Sequence, residues 1–102
     1  MAISDVQLKG NWYVIFDGNG KKIKEVLASS VGELCGMGGE FIVFVKGNWY
    51  ATYDETGKKI KEILTSTVGD FKNSSGSTII FKKGNWIVTY DKTFKKLSER
   101  LG

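Results

Sequence analysis

Aromatic residues that recur at a fixed spacing are the side chains of this sequence best suited to bind a ligand. Trp12, Trp49 and Trp86 lie 37 residues apart, and a tyrosine follows the first two, at Tyr13 and Tyr50. Flat aromatic rings stack on sugars and on nucleobases, and a repeated ring gives a chain several copies of one site. These five residues are therefore the candidate ligand-binding residues.

The composition offers few groups for catalysis. The chain has no histidine, which is the usual general base near neutral pH and the commonest metal ligand. Cys35 is the only thiol, and no imidazole is present to activate it. Asp17, Asp54 and Asp91 recur with the turns that they begin, so a structural role accounts for them. We expect no enzymatic activity, no metal site and no cofactor.

Lysines recur with the same period and contribute to a net charge of +4 and an isoelectric point near 9.2. A basic stripe of this kind could bind the phosphates of a nucleic acid, or an acidic protein. Glutamates are interleaved with the lysines, however, and charged residues also protect a sheet edge from association with other chains. Solvated edge residues are the preferred interpretation, so nucleic-acid binding is less favoured. The lysine pairs are Lys21-Lys22, Lys58-Lys59 and Lys95-Lys96.

One nine-residue stretch, present three times, predicts the local structure that holds the tryptophans. Its copies are residues 9–17, 46–54 and 83–91. In the middle copy the Gly-Asn pair separates the mainly apolar run 40–45 from the return strand 49–53, which is typical of a two-residue hairpin turn between antiparallel strands. Side chains alternate along a strand, so Trp49 shares a face with Ala51 and Tyr53. That face is the more uniformly apolar one and is expected in the core, which leaves Tyr13 and Tyr50 as the expected contact residues.

The turn after each of these hairpins begins with aspartate, and in two copies it closes with glycine. A closing glycine adopts the left-handed backbone conformation, which other residues adopt only at a cost in free energy. The third copy has Phe94 at this position. We expect the third turn to differ from the other two or to be strained.

The lysine-rich segments 21–27, 58–64 and 95–101 decide the fold class. As strands they predict an all-β protein of three 37-residue antiparallel β-meander repeats; as helices they predict an α+β protein of three ββα repeats. The apolar residues of these segments suit either structure. A β-branched run ending in Gly69 and the lack of a helix cap favour the strand.

The linkers between the repeats predict one more strand in each of two units. Residues 31–39 and 68–76 each contain an apolar pair before a turn rich in glycine and serine. A unit would then be a four-stranded antiparallel meander. The chain is predicted to be one repeat domain, residues 1–102. Its units are about 3–30, 31–67 and 68–102.

A four-stranded antiparallel sheet repeated along a chain resembles the blade of a β-propeller. The resemblance covers the whole chain and rests on the strand pattern of the three copies. Three blades are too few for a propeller ring, which typically has about four to eight. We therefore expect a second copy of the chain to complete the assembly, as a symmetric homo-oligomer and most simply a dimer.

Together these patterns predict a non-enzymatic binding or interaction module that forms a symmetric homo-oligomer. One alternative is a lectin-like carbohydrate-binding protein, although Ile87 leaves the set of tyrosines incomplete. The other is a basic adaptor for nucleic acid or an acidic protein. No apolar run approaches the roughly 18 residues of a membrane-spanning helix. The segment Met1–Asp5 lacks the pattern of a secretory signal, and the lone cysteine suits a reducing compartment, so we expect a soluble cytoplasmic protein.

Overall fold

The computed structural model describes residues 3–102; Met1 and Ala2, at the start of the segment tested for a secretory signal, lie outside that range. Over the described residues the chain forms eleven β-strands and two one-turn α-helices. The strands are β1 (Ile3–Lys9), β2 (Trp12–Asp17), β3 (Lys22–Leu27), β4 (Glu33–Met37), β5 (Ile42–Lys46), β6 (Trp49–Tyr53), β7 (Lys59–Leu64), β8 (Asp70–Ser75), β9 (Thr78–Lys83), β10 (Trp86–Tyr90) and β11 (Lys96–Leu101). The helices are α1 (Ala28–Val31) and α2 (Thr65–Val68).

The strands form three antiparallel sheets, and each sheet is a meander in which every strand pairs with the next one along the chain. The first sheet contains β1–β3, the middle sheet β4–β7 and the last sheet β8–β11. The prediction of an all-β repeat is confirmed, because the three lysine-rich segments form β3, β7 and β11. The alternative of three ββα repeats is wrong. The predicted linker strands are β4 and β8, and the short helices before them are an addition that the sequence pattern does not predict.

The Gly-Asn pairs form the turns of the central hairpins. Gly10, Gly47 and Gly84 have φ angles of 61°, 60° and 60°, and no asparagine of the described residues has a positive φ. A glycine with left-handed φ at the first central position is typical of a type II′ turn, whose twist matches that of the flanking strands. The turn therefore depends on the glycine, while the asparagine keeps an ordinary backbone conformation.

The three sheets stack in chain order and enclose two cores. Ile15 of the first sheet and Phe44 of the middle sheet lie in the core between these two sheets. Val43 of the middle sheet lies with Phe81 and Val88 of the last sheet in the other core. Phe44 and Val43 are both fully buried, although they are neighbours on one strand and point to opposite faces. The middle sheet therefore buries both of its faces.

The burial of the repeated aromatic residues is the reverse of the expectation. Trp12, Trp49 and Trp86 are 43%, 43% and 45% exposed, whereas Tyr13 and Tyr50 are 7% and 8% exposed. The middle sheet buries both faces, so the alternation of side chains along its strands does not separate a core face from a solvent face. Each tryptophan is the first residue after a hairpin turn, at the end of its strand, and this position leaves its indole partly open.

The two outermost faces of the stack are polar at positions where the internal faces are apolar. On the open face of the first sheet, Asp5 takes the place that Ile42 has in the middle sheet. On the open face of the last sheet, Arg100 takes the place of Ile63. The further substitutions of this kind are Gln7 for Phe44 and Lys82 for Val45. Polar outer faces are a general feature of the end units of stacked repeat proteins.

The third aspartate turn keeps the geometry of the others despite Phe94. The Phe94 N–H donates to the Asp91 carbonyl oxygen over 3.0 Å, as the Gly57 N–H does to Asp54. Phe94 is in consequence the one non-glycine residue of the described chain with a positive φ, at 60°. Its ring is buried in the core between the middle and last sheets. The turn is thus strained rather than different, and the burial of the ring offsets the strain.

Replacing Phe94 with glycine is expected to lower the free energy of unfolding by about 1–4 kcal/mol. Loss of a buried phenylalanine ring costs about 3–5 kcal/mol, and relief of the left-handed backbone returns about 1–2 kcal/mol. Urea unfolding followed by circular dichroism measures the change. The matched control is Gly20→Ala, at the same turn position with open space around the added Cβ, which should show only the backbone cost. A Phe94→Gly protein more stable than the parent would contradict the expectation.

Candidate functional site

Two grooves lie between a one-turn helix and the tryptophan-bearing face of the sheet that follows it, and their lining residues correspond at a spacing of 37 residues. We name them the tryptophan grooves. The first, beside α1, has a volume of about 170 Å³, and the second, beside α2, about 580 Å³. The first is lined by Val31, Lys46, Trp49, Tyr53, Lys59 and Glu62. The second is lined by Val68, Lys83, Trp86, Tyr90, Lys96 and Glu99.

The middle and last sheets come close to each other at β4 and β8. The Ser74 hydroxyl donates there to the Met37 carbonyl oxygen over 2.8 Å. Gly36 permits this approach, since an added Cβ would lie 2.6 Å from Ser74 Oγ. The tryptophan-bearing strand β10 lies two places away from β8 in its sheet. The second groove therefore lies away from this close contact.

An ion pair stands at the rim of each groove. Lys59 Nζ lies 3.0 Å from Glu62 Oε2, and Lys96 Nζ lies 3.2 Å from Glu99 Oε2. All four side chains are about half exposed, and ion pairs of this kind contribute little to stability. Their donor and acceptor groups are therefore available to a ligand at small cost to the fold.

A second lysine in each groove supports the helical wall. Lys46 Nζ donates to the Ser30 carbonyl oxygen over 3.4 Å, and Lys83 Nζ donates to the Thr67 carbonyl oxygen over 3.1 Å. These carbonyls belong to the one-turn helices, whose terminal carbonyls have no partner within the helix. The lysines thus fasten each helix to the following sheet and fix the width of the groove.

A third copy of the tryptophan site lies on the open face of the first sheet. Trp12 is accompanied there by Lys22 and Glu25, whose charged groups are 3.7 Å apart. Lys9 Nζ lies 5.5 Å from the centre of the Phe16 ring on the same face. The described residues supply no helical wall opposite Trp12, so this copy is an open platform rather than a groove.

The structure places Tyr13 and Tyr50 away from the grooves. The Tyr13 hydroxyl accepts a hydrogen bond from the Leu34 N–H over 3.1 Å, and the Tyr50 hydroxyl accepts one from the Phe71 N–H over 3.2 Å. Each tyrosine therefore holds the first strand of the following sheet. Ile87, at the corresponding position of the last sheet, has no following sheet among the described residues. In the sequence, this role is indicated by a tyrosine in the two units that another sheet follows and by isoleucine in the last unit.

Replacing Tyr50 with phenylalanine is expected to lower the free energy of unfolding by about 1–3 kcal/mol, because the Phe71 N–H loses its partner. Burial raises the pKa of the Tyr50 hydroxyl, so the group is neutral and remains an acceptor at neutral pH. Urea unfolding measures the change. Tyr13→Phe is the control, since it removes the same type of bond from the more exposed Leu34 and should cost less. A larger loss for Tyr13→Phe than for Tyr50→Phe would contradict this account.

The thiol of Cys35 and the carboxylate of Asp54 are the kinds of group that act in catalysis, but their environments here do not favour reactivity. Burial, with a smaller effect of the Glu33 carboxylate, raises the pKa of the Cys35 thiol to about 11, and a protonated thiol is a poor nucleophile. Partial burial raises the pKa of Asp54, but hydrogen bonds from Thr56 and Lys58 lower it more, so the carboxylate stays charged within its turn. Within residues 3–102 no cluster of three or more histidine, cysteine, aspartate or glutamate side chains could hold a metal ion.

The comparisons with known proteins leave the site to be interpreted from its own geometry. No family model, no characterised protein and no solved structure matches the chain. None of the helices formed by the described residues is long and apolar enough to cross a membrane. The arrangement that recurs across the three sheets is a half-exposed indole beside a lysine–glutamate pair.

Proposed function

We propose that the chain is a non-enzymatic binding module whose tryptophan sites bind carbohydrate. The observation that supports this most directly is the threefold recurrence of a half-exposed indole next to a lysine–glutamate pair. A tryptophan that served only the core would be buried, as Tyr13 and Tyr50 are. The lone thiol and the absence of a disulfide among the described residues make a cytoplasmic location part of the proposal.

Carbohydrate suits the grooves for two physical reasons. A sugar ring has a face of C–H groups that packs on an aromatic ring, and each indole leaves nearly half of its surface open for such a contact. Sugar hydroxyls both donate and accept hydrogen bonds, which the lysine and glutamate of each rim can satisfy together. The volume of the second groove, about 580 Å³, lies within the range of about 300–1,000 Å³ that is usual for small-ligand sites.

The basic adaptor is the second candidate, and the ion pairs weigh against it. Three lysines that could form a basic stripe are each paired with a glutamate, at Lys22, Lys59 and Lys96. A carboxylate within about 4 Å of each ammonium weakens the field that a polyanion would sense. Retention on heparin that falls steeply with salt concentration would favour the adaptor over the carbohydrate binder.

A propeller-like assembly completed by a second copy stays a prediction. The stacking of three antiparallel sheets in chain order supports a propeller-like arrangement. Asp5, Lys82 and Arg100 reduce the apolar area that a second copy would bury on the open faces, and stable homodimers bury large apolar areas. Light scattering at micromolar concentration decides the question. A mass of twice 11.3 kDa supports the dimer, and a mass of 11.3 kDa contradicts it.

The test of carbohydrate binding is a screen of neutral oligosaccharides at about 0.15 M salt, followed by titration with tryptophan fluorescence. Binding is expected to quench or shift the emission. Because stacking on one aromatic ring is worth about 1–3 kcal/mol, Trp86→Ala should weaken binding at the second groove by about fivefold to 150-fold. Glu99→Gln tests the rim acceptor and should give a smaller loss.

The control for these variants is Arg100→Ala, which removes an exposed charge from the open face of the last sheet. It should leave the affinity unchanged. Circular dichroism establishes that each variant is folded. Absence of binding to any neutral oligosaccharide, or binding that is unaffected by Trp49→Ala and Trp86→Ala, would refute the proposal.

A further inference from the structure

The first sheet lacks a strand that both other sheets possess. In the middle sheet β4 covers one edge of β5, and in the last sheet β8 covers the same edge of β9. β1 corresponds to β5 and β9, but within residues 3–102 no strand pairs with it on that edge. An unpaired edge presents main-chain donors and acceptors to solvent and can accept another strand.

The hairpin turn identifies the main-chain groups that face the open edge. Lys9 and Trp12 flank the two-residue turn and pair with each other, so the alternate residues Leu8 and Val6 direct their N–H and C=O groups away from β2. The Val6 N–H accordingly has a side-chain partner, the Asp5 carboxylate, over 2.9 Å. Leu8 is 58% exposed at this edge, although it is a large apolar residue.

A second exposed leucine borders the same vacant position from the middle sheet. Leu34 of β4 is 37% exposed. Its counterpart Phe71 of β8 packs against Gly36 of β4, where an added Cβ would lie 2.8 Å from the Phe71 ring. The strand that would cover Leu34 in this way belongs to the first sheet and is the missing one. Leu8 and Leu34 are thus both open at the place where a fourth strand would lie.

We propose that the open edge of β1 binds an extended peptide segment of a partner protein as a fourth, antiparallel strand. Recognition by strand addition derives its affinity from main-chain hydrogen bonds and its specificity from alternate side chains. The main-chain groups of Val6 and Leu8 supply these hydrogen bonds. Leu8 and Leu34 supply the specificity, together with a requirement for glycine in the bound segment. The site is independent of the tryptophan grooves.

The middle sheet, whose corresponding edge is covered by β4, indicates which residues the bound segment needs. Val6 corresponds to Val43, which pairs with Gly36 of β4. The bound segment needs glycine opposite Val6, because Leu34 is the counterpart of Phe71, whose ring lies against Gly36. The residue before Gly36 in β4 is Cys35, which packs against the core between the middle and last sheets. The partner segment is therefore extended and contains a small apolar residue followed by glycine.

The test uses a synthetic peptide with the sequence of residues 31–39 and alanine in place of Cys35, titrated into the ¹⁵N-labelled protein. We expect saturable shifts of the Val6 and Leu8 amide signals, with smaller effects elsewhere. A peptide with Gly36→Val should bind at least about tenfold more weakly, since the added side chain meets Leu34. The variant Arg100→Ala, on the open face of the last sheet, should bind the parent peptide with unchanged affinity.

Backbone methylation of the peptide separates strand addition from other modes of binding. Methylation of the nitrogen equivalent to Gly36, which faces β5 in the intact sheet, should abolish binding. Methylation of the nitrogen equivalent to Leu34 should be tolerated, since that N–H points away from β5 and donates to Tyr13 in the structure. Lack of saturable binding, equal binding of the Gly36→Val peptide, or equal loss for both methylated peptides would each overturn the proposal.

Discussion

Replacing Phe81 with alanine is expected to lower the free energy of unfolding by about 3–5 kcal/mol. Phe81 is fully buried. Its ring lies 4.9 Å from that of Tyr50, 5.9 Å from Phe71, 5.7 Å from Tyr90 and 6.3 Å from Phe94. The side chain thus joins four aromatic rings from two sheets, and its removal leaves a cavity that they cannot all collapse to fill.

The expected loss is a large part of the total stability, since domains of this size unfold with about 5–15 kcal/mol. Urea unfolding, followed by tryptophan fluorescence and by circular dichroism, measures it. The matched control is Phe44→Ala in the other core, where two aromatic rings, those of Tyr13 and Tyr53, lie 5.0 and 5.5 Å away. We expect a smaller loss there. Equal losses at the two positions would contradict the central role assigned to Phe81.

Replacing Gly32 with alanine is expected to lower the free energy of unfolding by about 2–6 kcal/mol. Gly32 ends α1 with φ 94° and ψ −147°, a conformation that is nearly restricted to glycine and costs other residues about 1–3 kcal/mol. An added Cβ would also collide with the Val45 carbonyl oxygen and with Lys46 Cβ, which lies 2.8 Å away. Such overpacking costs about 1–3 kcal/mol more.

The control for this variant is Gly10→Ala, because Gly10 has φ 61° but no atom within 4 Å of an added Cβ. It should lose only about 1–3 kcal/mol, for a backbone conformation that is likewise nearly restricted to glycine. Urea unfolding of both variants measures the difference, which isolates the collision with β5. A Gly32→Ala protein as stable as Gly10→Ala would show that the strand can move aside.

The fold could be predicted from the sequence because its signals are local. The Gly-Asn pairs define the hairpins, the aspartate turns define the last strand of each unit, and the repeat fixes the phase of all three copies. The short helices could not be predicted in this way. Thr65–Val68 is rich in β-branched residues, and the helical turn forms because Gly69 and the main chain of β9 hold its end in place.

The candidate site could be predicted only in part. The spacing of Trp12, Trp49 and Trp86 identifies the residues, but not their exposure, because that depends on how much of each sheet face its neighbours cover. A strand with both faces buried shows no contrast between its two sets of side chains. The lysine and glutamate of each rim lie on the neighbouring strand and are brought to the tryptophan by register, which a single sequence does not reveal.

Because the outer faces are polar and the internal faces apolar, further sheets could be inserted between the two end sheets. A duplicated segment 31–67 would present to each neighbour the same surface that the present middle sheet presents. Evolution or design could therefore lengthen the protein one segment at a time, with the existing end faces still meeting solvent. Each insertion would add one more tryptophan groove. The valency toward a polymeric ligand would then increase with chain length, without any change to the individual groove.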